Sequence, residues 1–150
     1  MKIKQTIFLL IATCILISCS GQNTKSSDPV VYANAKDPEL EKAKQDALSK
    51  LDYFINSFNV HSKDTTYQYS LKIDFIDNGE HEHMWISLNK IMNGQFQGLL
   101  GNDPQIIKNI KFGDIVKVTK DQIEDWIIMD TKTNTWEGGY SVKVLQKRQR

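Results

Sequence analysis

Tyr67, Tyr69, Leu71, Ile73 and Phe75 alternate with Gln68, Ser70, Lys72 and Asp74, and the stretch runs directly into Asp77-Asn78-Gly79-Glu80. Nothing else in the chain constrains its fold so tightly. A period of two puts the apolar set on one face of an extended strand and the polar set on the other. A slip of one residue would turn every apolar side chain outward, so the register is strongly specified. Asn-Gly suits a two-residue hairpin turn, whose central positions both need positive φ. The segment from about His81 to Leu88 is therefore expected to return antiparallel to the first strand.

Ahead of this hairpin the period is three to four. Asp37-Pro38 supplies a capping carboxylate and a proline at the first helical position. Leu40, Ala43, Ala47, Leu51, Phe54, Ile55 and Phe58 then line one stripe of an amphipathic helix. Residues 60–66 lose the period and read as a loop. Behind the hairpin, Gln95 to Leu100 lies between turns at Asn93-Gly94 and Asn102-Asp103-Pro104. Gly113-Asp114 opens a strand from Ile115 to Thr119, and Trp126 to Met129 is apolar on both faces, as in a covered strand. Gly138-Gly139 leads into a last strand in which Tyr140, Val142 and Val144 alternate with Ser141, Lys143 and Leu145. The expectation is an α+β domain: one N-terminal amphipathic helix packed on a curved antiparallel sheet of about six short strands.

The first residues read as an address. Lys2 and Lys4 precede an apolar run from Ile7 to Ile17, the layout of a secretory signal. The run is shorter than the roughly 20 residues needed to span a bilayer. Leu16-Ile17-Ser18-Cys19 resembles the lipobox of bacterial lipoproteins, which makes Cys19 the expected site of lipidation and a membrane anchor. The expected organisation is a signal peptide at 1–18, a lipid-anchored flexible linker at 19–36, the folded domain at 37–146 and a basic tail at 147–150. Cys14, the only other cysteine, would leave with the signal, so no internal disulfide is expected. Taking Lys2 and Lys4 from the 19 basic residues leaves 17 against 18 acidic ones. That balance, with Lys147, Arg148 and Arg150 as the one dense basic cluster, argues against a nucleic-acid partner.

Glu82-His83-Met84-Trp85, then Gly94, Phe96, Gly98, Leu100, Asn102 and Pro104, then Gly113-Asp114, Asp125-Trp126 and Gly138-Gly139-Tyr140 together resemble the YegJ-like family of small bacterial domains of unknown function. The likeness runs from about Asp37 to Leu145. It implies a shared fold, often behind a signal peptide, and no established activity. Lys143 stands where the family pattern implies an arginine, which places any bidentate grip on a carboxylate or phosphate there in doubt.

Three constellations could carry chemistry. His81 and His83, two apart on a strand, project from one face with Trp85 next along and Glu80 and Glu82 close by. They could begin a metal site, with His61 the only further histidine; alternatively His81 is a solvated strand residue and His83 hydrogen-bonds within the sheet. Glu82 and Asp125 each sit beside a tryptophan, where burial can raise a carboxyl pKa. The plainer alternative is that they accept hydrogen bonds from turn N–H groups or from a tyrosine hydroxyl, with Tyr140 an obvious donor. Trp85, Trp126 and Trp136 could form an aromatic patch; alternatively Trp85 and Trp126 are core, while Trp136, beside the Thr131 to Thr135 turn, is exposed. Gly94, Gly98 and Gly101 do not lie between a strand and a helix, so a phosphate-cradling loop is unsupported.

These features favour a non-catalytic binding or accessory domain, tethered at the envelope through Cys19. Its candidate surface is made by His83, Trp85, Asn102, Asp125 and Trp126, and its partner would be an envelope protein, a peptide or a glycan. No catalytic residue, metal ligand or cofactor is assigned. The rival is a metal-dependent envelope enzyme built on His81, His83 and nearby carboxylates.

Overall fold

The computed structural model describes residues 37–150, so the signal peptide, Cys19 and the linker lie outside the described residues. The first strand and its hairpin form as the alternation requires. β1 (Tyr67–Asp77) pairs antiparallel with β2 (Glu80–Met92), with Asn78 at φ 50° and Gly79 at φ 84° between them. Asn93 and Gly94 make the same kind of turn into β3 (Gln95–Leu100). β4 (Ile115–Thr119), β5 (Ile123–Asp130) and β6 (Thr135–Gly138) complete a six-stranded antiparallel sheet in the order β4-β3-β2-β1-β5-β6.

The expected single helix is two. α1 (Pro38–Ser49) and α2 (Leu51–His61) meet at Lys50, whose φ of −114° and ψ of 12° leave the helical range. The cause is a side chain inserted into the helical ladder. The Trp126 indole N–H donates to the Ala47 carbonyl at 2.9 Å, the acceptor that the amide of Leu51 would use in an unbroken helix. The apolar stripe survives the break. Ala47, Leu51, Phe54 and Phe58 pack on Tyr69, Leu71, Ile73, Met84, Ile86 and Trp126, and Phe54 meets Tyr69 edge-on at 5.6 Å.

The C-terminus corrects a second expectation. Tyr140–Arg148 is a helix, α3, and not a strand, while the sixth strand is Thr135–Gly138. Short apolar runs do not distinguish helix from strand by period, and here the deciding group is remote in sequence: the buried carboxylate of Asp125 accepts from the first amides of α3. Lys143 is therefore helical, with its ammonium 5.0 Å from the Trp136 ring centre and 5.6 Å from that of Tyr140.

Nor do residues 147–150 form a free basic tail. Arg148 closes the last turn of α3 onto the first turn of α1, pairing with Asp37 (2.6 and 2.9 Å) and Glu39 (2.6 Å). Asp37 also caps α1 through the amides of Glu39 and Leu40. The Arg148 hydrogen bond, aided by those amides and opposed by slight burial, holds the Asp37 carboxyl at about 2, from an ordinary 3.8. The folded value lies below the unfolded one, so this clasp stabilises the fold above about pH 4, and its contribution is lost as pH falls toward 2. An NMR titration of the Asp37 carboxyl should give a midpoint near 2 that rises toward 3.8 in Arg148→Ala. An unmoved midpoint would show that the clasp does not form.

Candidate functional site

Helices α1 and α2 cover one face of the sheet; on the other face the start of α3 lies over Asp125 of β5, and across β1 to β4 no helix among the described residues covers it. Across it runs a row of paired residues, Ile127, Ser70, Ser87, Leu99 and Ile115, all exposed or half-buried. Nearer the β1–β2 turn, the same face carries Lys72 opposite Trp85, Asp74 opposite His83 and Ile76 opposite His81. The hairpin thus brings one carboxylate and two imidazoles together. The His81 Nδ1 lies 2.9 Å from the nearer oxygen of Asp74, and the His83 Nδ1 lies 3.6 Å from Asp74 Oδ1.

A second carboxylate arrives through a β-bulge. Lys72 pairs with Asp125 and Ile73 with Ile123, leaving Glu124 as an extra residue on β5. Bulges re-aim side chains that regular pairing would send elsewhere. Here one Glu124 oxygen reaches the His83 Nδ1 at 2.8 Å and the other reaches the Lys44 ammonium on α1 at 3.3 Å. Burial alone would raise the Glu124 carboxyl pKa. The hydrogen bond to His83 and the charges of His83, Lys72 and Lys44 outweigh that effect and hold it below its ordinary value. The Asp74 and Glu124 side chains are 19% and 14% exposed, whereas those of His81 and His83 are 52% and 48% exposed. The carboxylates are seated in the sheet and the imidazoles reach into solvent.

The surface expected from the sequence does not form as one patch. His83 and Trp85 share the open face, but Asp125 is fully buried and Trp126 is core. Asp125 accepts hydrogen bonds from the amides of Trp126, Tyr140 and Ser141 and from the Ser141 hydroxyl. Asn102 is committed locally, its Oδ1 accepting the Trp85 amide at 2.7 Å. Glu82 points away from the histidines and accepts from the amides of Gln105, Ile106 and Ile107, holding the loop between β3 and β4. Burial opposes the ionised form of Glu82, but these amides and the charge of Lys108 prevail and its pKa is lowered. His61 stacks near Tyr67 at the end of α2, with ring centres 5.2 Å apart.

The partners of the two histidines are thus Asp74 and Glu124, which sequence reasoning did not single out. Asp74 had a signal. A two-residue turn at Asn78-Gly79 pairs 77 with 80, and counting back pairs 74 with 83. Glu124 had none, because its approach depends on the bulge.

A family model described as an uncharacterised protein conserved in bacteria (DUF2314) matches residues 37–149. The uncharacterised protein YegJ of Escherichia coli (strain K12) is 29% identical over 137 residues, covering 91% of this chain and 86% of that protein. No solved structure matches the chain.

Proposed function

The chain belongs to the DUF2314 family of uncharacterised bacterial proteins, and from that premise we propose that it is a non-catalytic binding domain, held at the cell envelope by lipid on Cys19, whose helix-free sheet face meets the ligand. The observation that carries the binding reading is a contrast between polar clusters. Asp125, Glu82 and Asp37 each accept hydrogen bonds from backbone amides and so serve the fold. Among the described residues, the side-chain hydrogen bonds and ion pairs of Asp74, His81, His83 and Glu124 join them to one another and to Lys44. Ionisable groups that support no backbone and stand on an open face are available to a ligand. The face also favours binding over catalysis, since chemistry that depends on excluding water needs enclosing walls.

The tether rests on Leu16-Ile17-Ser18-Cys19 behind its apolar run. Two or three acyl chains on one cysteine anchor durably where one holds only marginally. Among the described residues no helix is long and apolar enough to cross a membrane. Cys19→Ser should release the protein from the membrane fraction or leave it as unprocessed precursor. Processed, membrane-bound Cys19→Ser protein would overturn the tether.

The face has its own test. His81→Ala and His83→Ala should each alter stability by no more than about 0.5 kcal/mol, as exposed substitutions do. Urea unfolding reads this directly. Losses of several kcal/mol would mean that the cluster serves the fold, and the binding reading would fail.

A further inference from the structure

We propose that Asp74, His83 and Glu124 bind a divalent transition-metal ion of the zinc class. The inference rests on reading the helix-free face as the binding surface and names what that surface takes.

Three ligand atoms, the His83 Nδ1 and one oxygen each from Asp74 and Glu124, lie within 4.8 Å of one another. In a tetrahedral site with arms of about 2.0 to 2.1 Å, ligand atoms stand roughly 3.3 Å apart. The imidazole nitrogen is 2.8 Å from the Glu124 oxygen and 3.6 Å from Asp74 Oδ1, distances that bracket this edge. Three protein ligands leave a fourth position for water, and His81, 2.9 Å from Asp74, supports that carboxylate from outside.

The surroundings suit the same ion. Directly opposed strand residues place Asp74 and His83 on a rigid hairpin, and the bulge delivers Glu124 from the next strand. Lys44 holds the second Glu124 oxygen at 3.3 Å, the outer-shell support that orients a ligating carboxylate. Two half-buried carboxylates facing one imidazole nitrogen concentrate negative charge where a dication would sit. Imidazole ligands select zinc and its neighbours over magnesium and calcium, which prefer all-oxygen sites.

The test uses the full chain, purified in detergent without a histidine tag and titrated calorimetrically with zinc chloride. One zinc ion per chain is expected, with magnesium and calcium giving no comparable heat. Cobalt(II) should add the visible absorption of a four-coordinate nitrogen and oxygen site. Asp74→Ala/His83→Ala should abolish uptake, and Lys44→Ala should weaken it about 10- to 100-fold, the usual effect of removing outer-shell support. The near-isosteric His83→Gln and Glu124→Gln, with circular dichroism to verify folding, separate lost ligands from lost structure. Unchanged stoichiometry in folded His83→Gln and Glu124→Gln would place the zinc elsewhere and overturn the proposal. A wild-type chain that takes up no zinc would also overturn it, while the open face, tested by the stability of its alanine variants, would still stand as a surface for another ligand.

Discussion

Replacing Asp125 with alanine is expected to cost about 3 to 5 kcal/mol, a large share of the roughly 5 to 15 kcal/mol that holds a domain together. The side chain is fully buried. It accepts from the Ser141 amide at 2.8 Å, the Ser141 hydroxyl at 2.7 Å, the Tyr140 amide at 3.1 Å and the Trp126 amide at 2.8 Å. The N-cap of α3 is Gly139, which has no side chain to cap with, so β5 supplies the capping oxygen from across the fold. Alanine would orphan three donors at the start of α3 and the Trp126 amide in β5. Each buried donor left unsatisfied costs about 1 to 3 kcal/mol, and a carboxylate at a partly buried helix N-terminus adds up to about 2 kcal/mol. Asp125→Asn keeps one acceptor oxygen and should lose roughly half as much. Urea unfolding at constant m-value measures both variants. A loss under about 1 kcal/mol for alanine would mean that α3 is not held from β5.

Gly138→Ala should be comparably damaging, by at least about 3 kcal/mol, from left-handed backbone strain of roughly 1 to 2 kcal/mol plus overpacking of about 1 to 3 kcal/mol. Gly138 sits at φ +80°, and a methyl there would lie 2.1 Å from the Trp126 carbonyl oxygen and 2.5 Å from its ring. That carbonyl accepts the Gly139 amide at 2.7 Å, and the ring is core, so neither can retreat cheaply. Gly79 provides the control: its φ is +84°, yet nothing lies within 4 Å of the added carbon. Gly79→Ala should therefore lose only the backbone part, about 1 to 2 kcal/mol. Thermal melts of the two variants should differ clearly, and equal losses would show that contact with Trp126 plays no part.

Sequence reasoning reached furthest where the physics is local. The period-two run and Asn78-Gly79 specify β1, β2 and their register, and with it the shared face of His81, His83 and Trp85. The apolar stripe from Leu40 to Phe58 is legible because helix periodicity is local too, but the break at Lys50 is not. That break depends on an indole from β5, 79 residues away. The helical state of Tyr140–Arg148 is hidden for the same reason, since its cap comes from Asp125. Placing Asp125 and Trp126 on a binding surface failed because adjacent strand residues normally face opposite ways, whereas here both are buried, Trp126 beneath the helices and Asp125 under the start of α3. The alternative reading of Asp125, as an acceptor for turn amides near Tyr140, matches its partners. The tyrosine donates its backbone N–H rather than its hydroxyl.

Of the four side chains of the site, three were within reach, although only His81 and His83 were singled out. Asp74 follows from counting across the turn, while Glu124 becomes a neighbour of His83 only through a bulge that no pattern announces. Four side chains from three strands thus form a cluster of which the sequence advertises two.

Nuclear magnetic resonance of the isotope-labelled full chain in detergent, recorded as zinc is added, tests most directly whether a ligand meets the helix-free face. Shifts are predicted at Asp74, His81, His83 and Glu124 and at their face neighbours Lys72 and Trp85, with Phe54, Phe58 and Ile107 unmoved on the covered side. Changes centred on His61 or on the helices, with the β1–β2 hairpin unmoved, would contradict it.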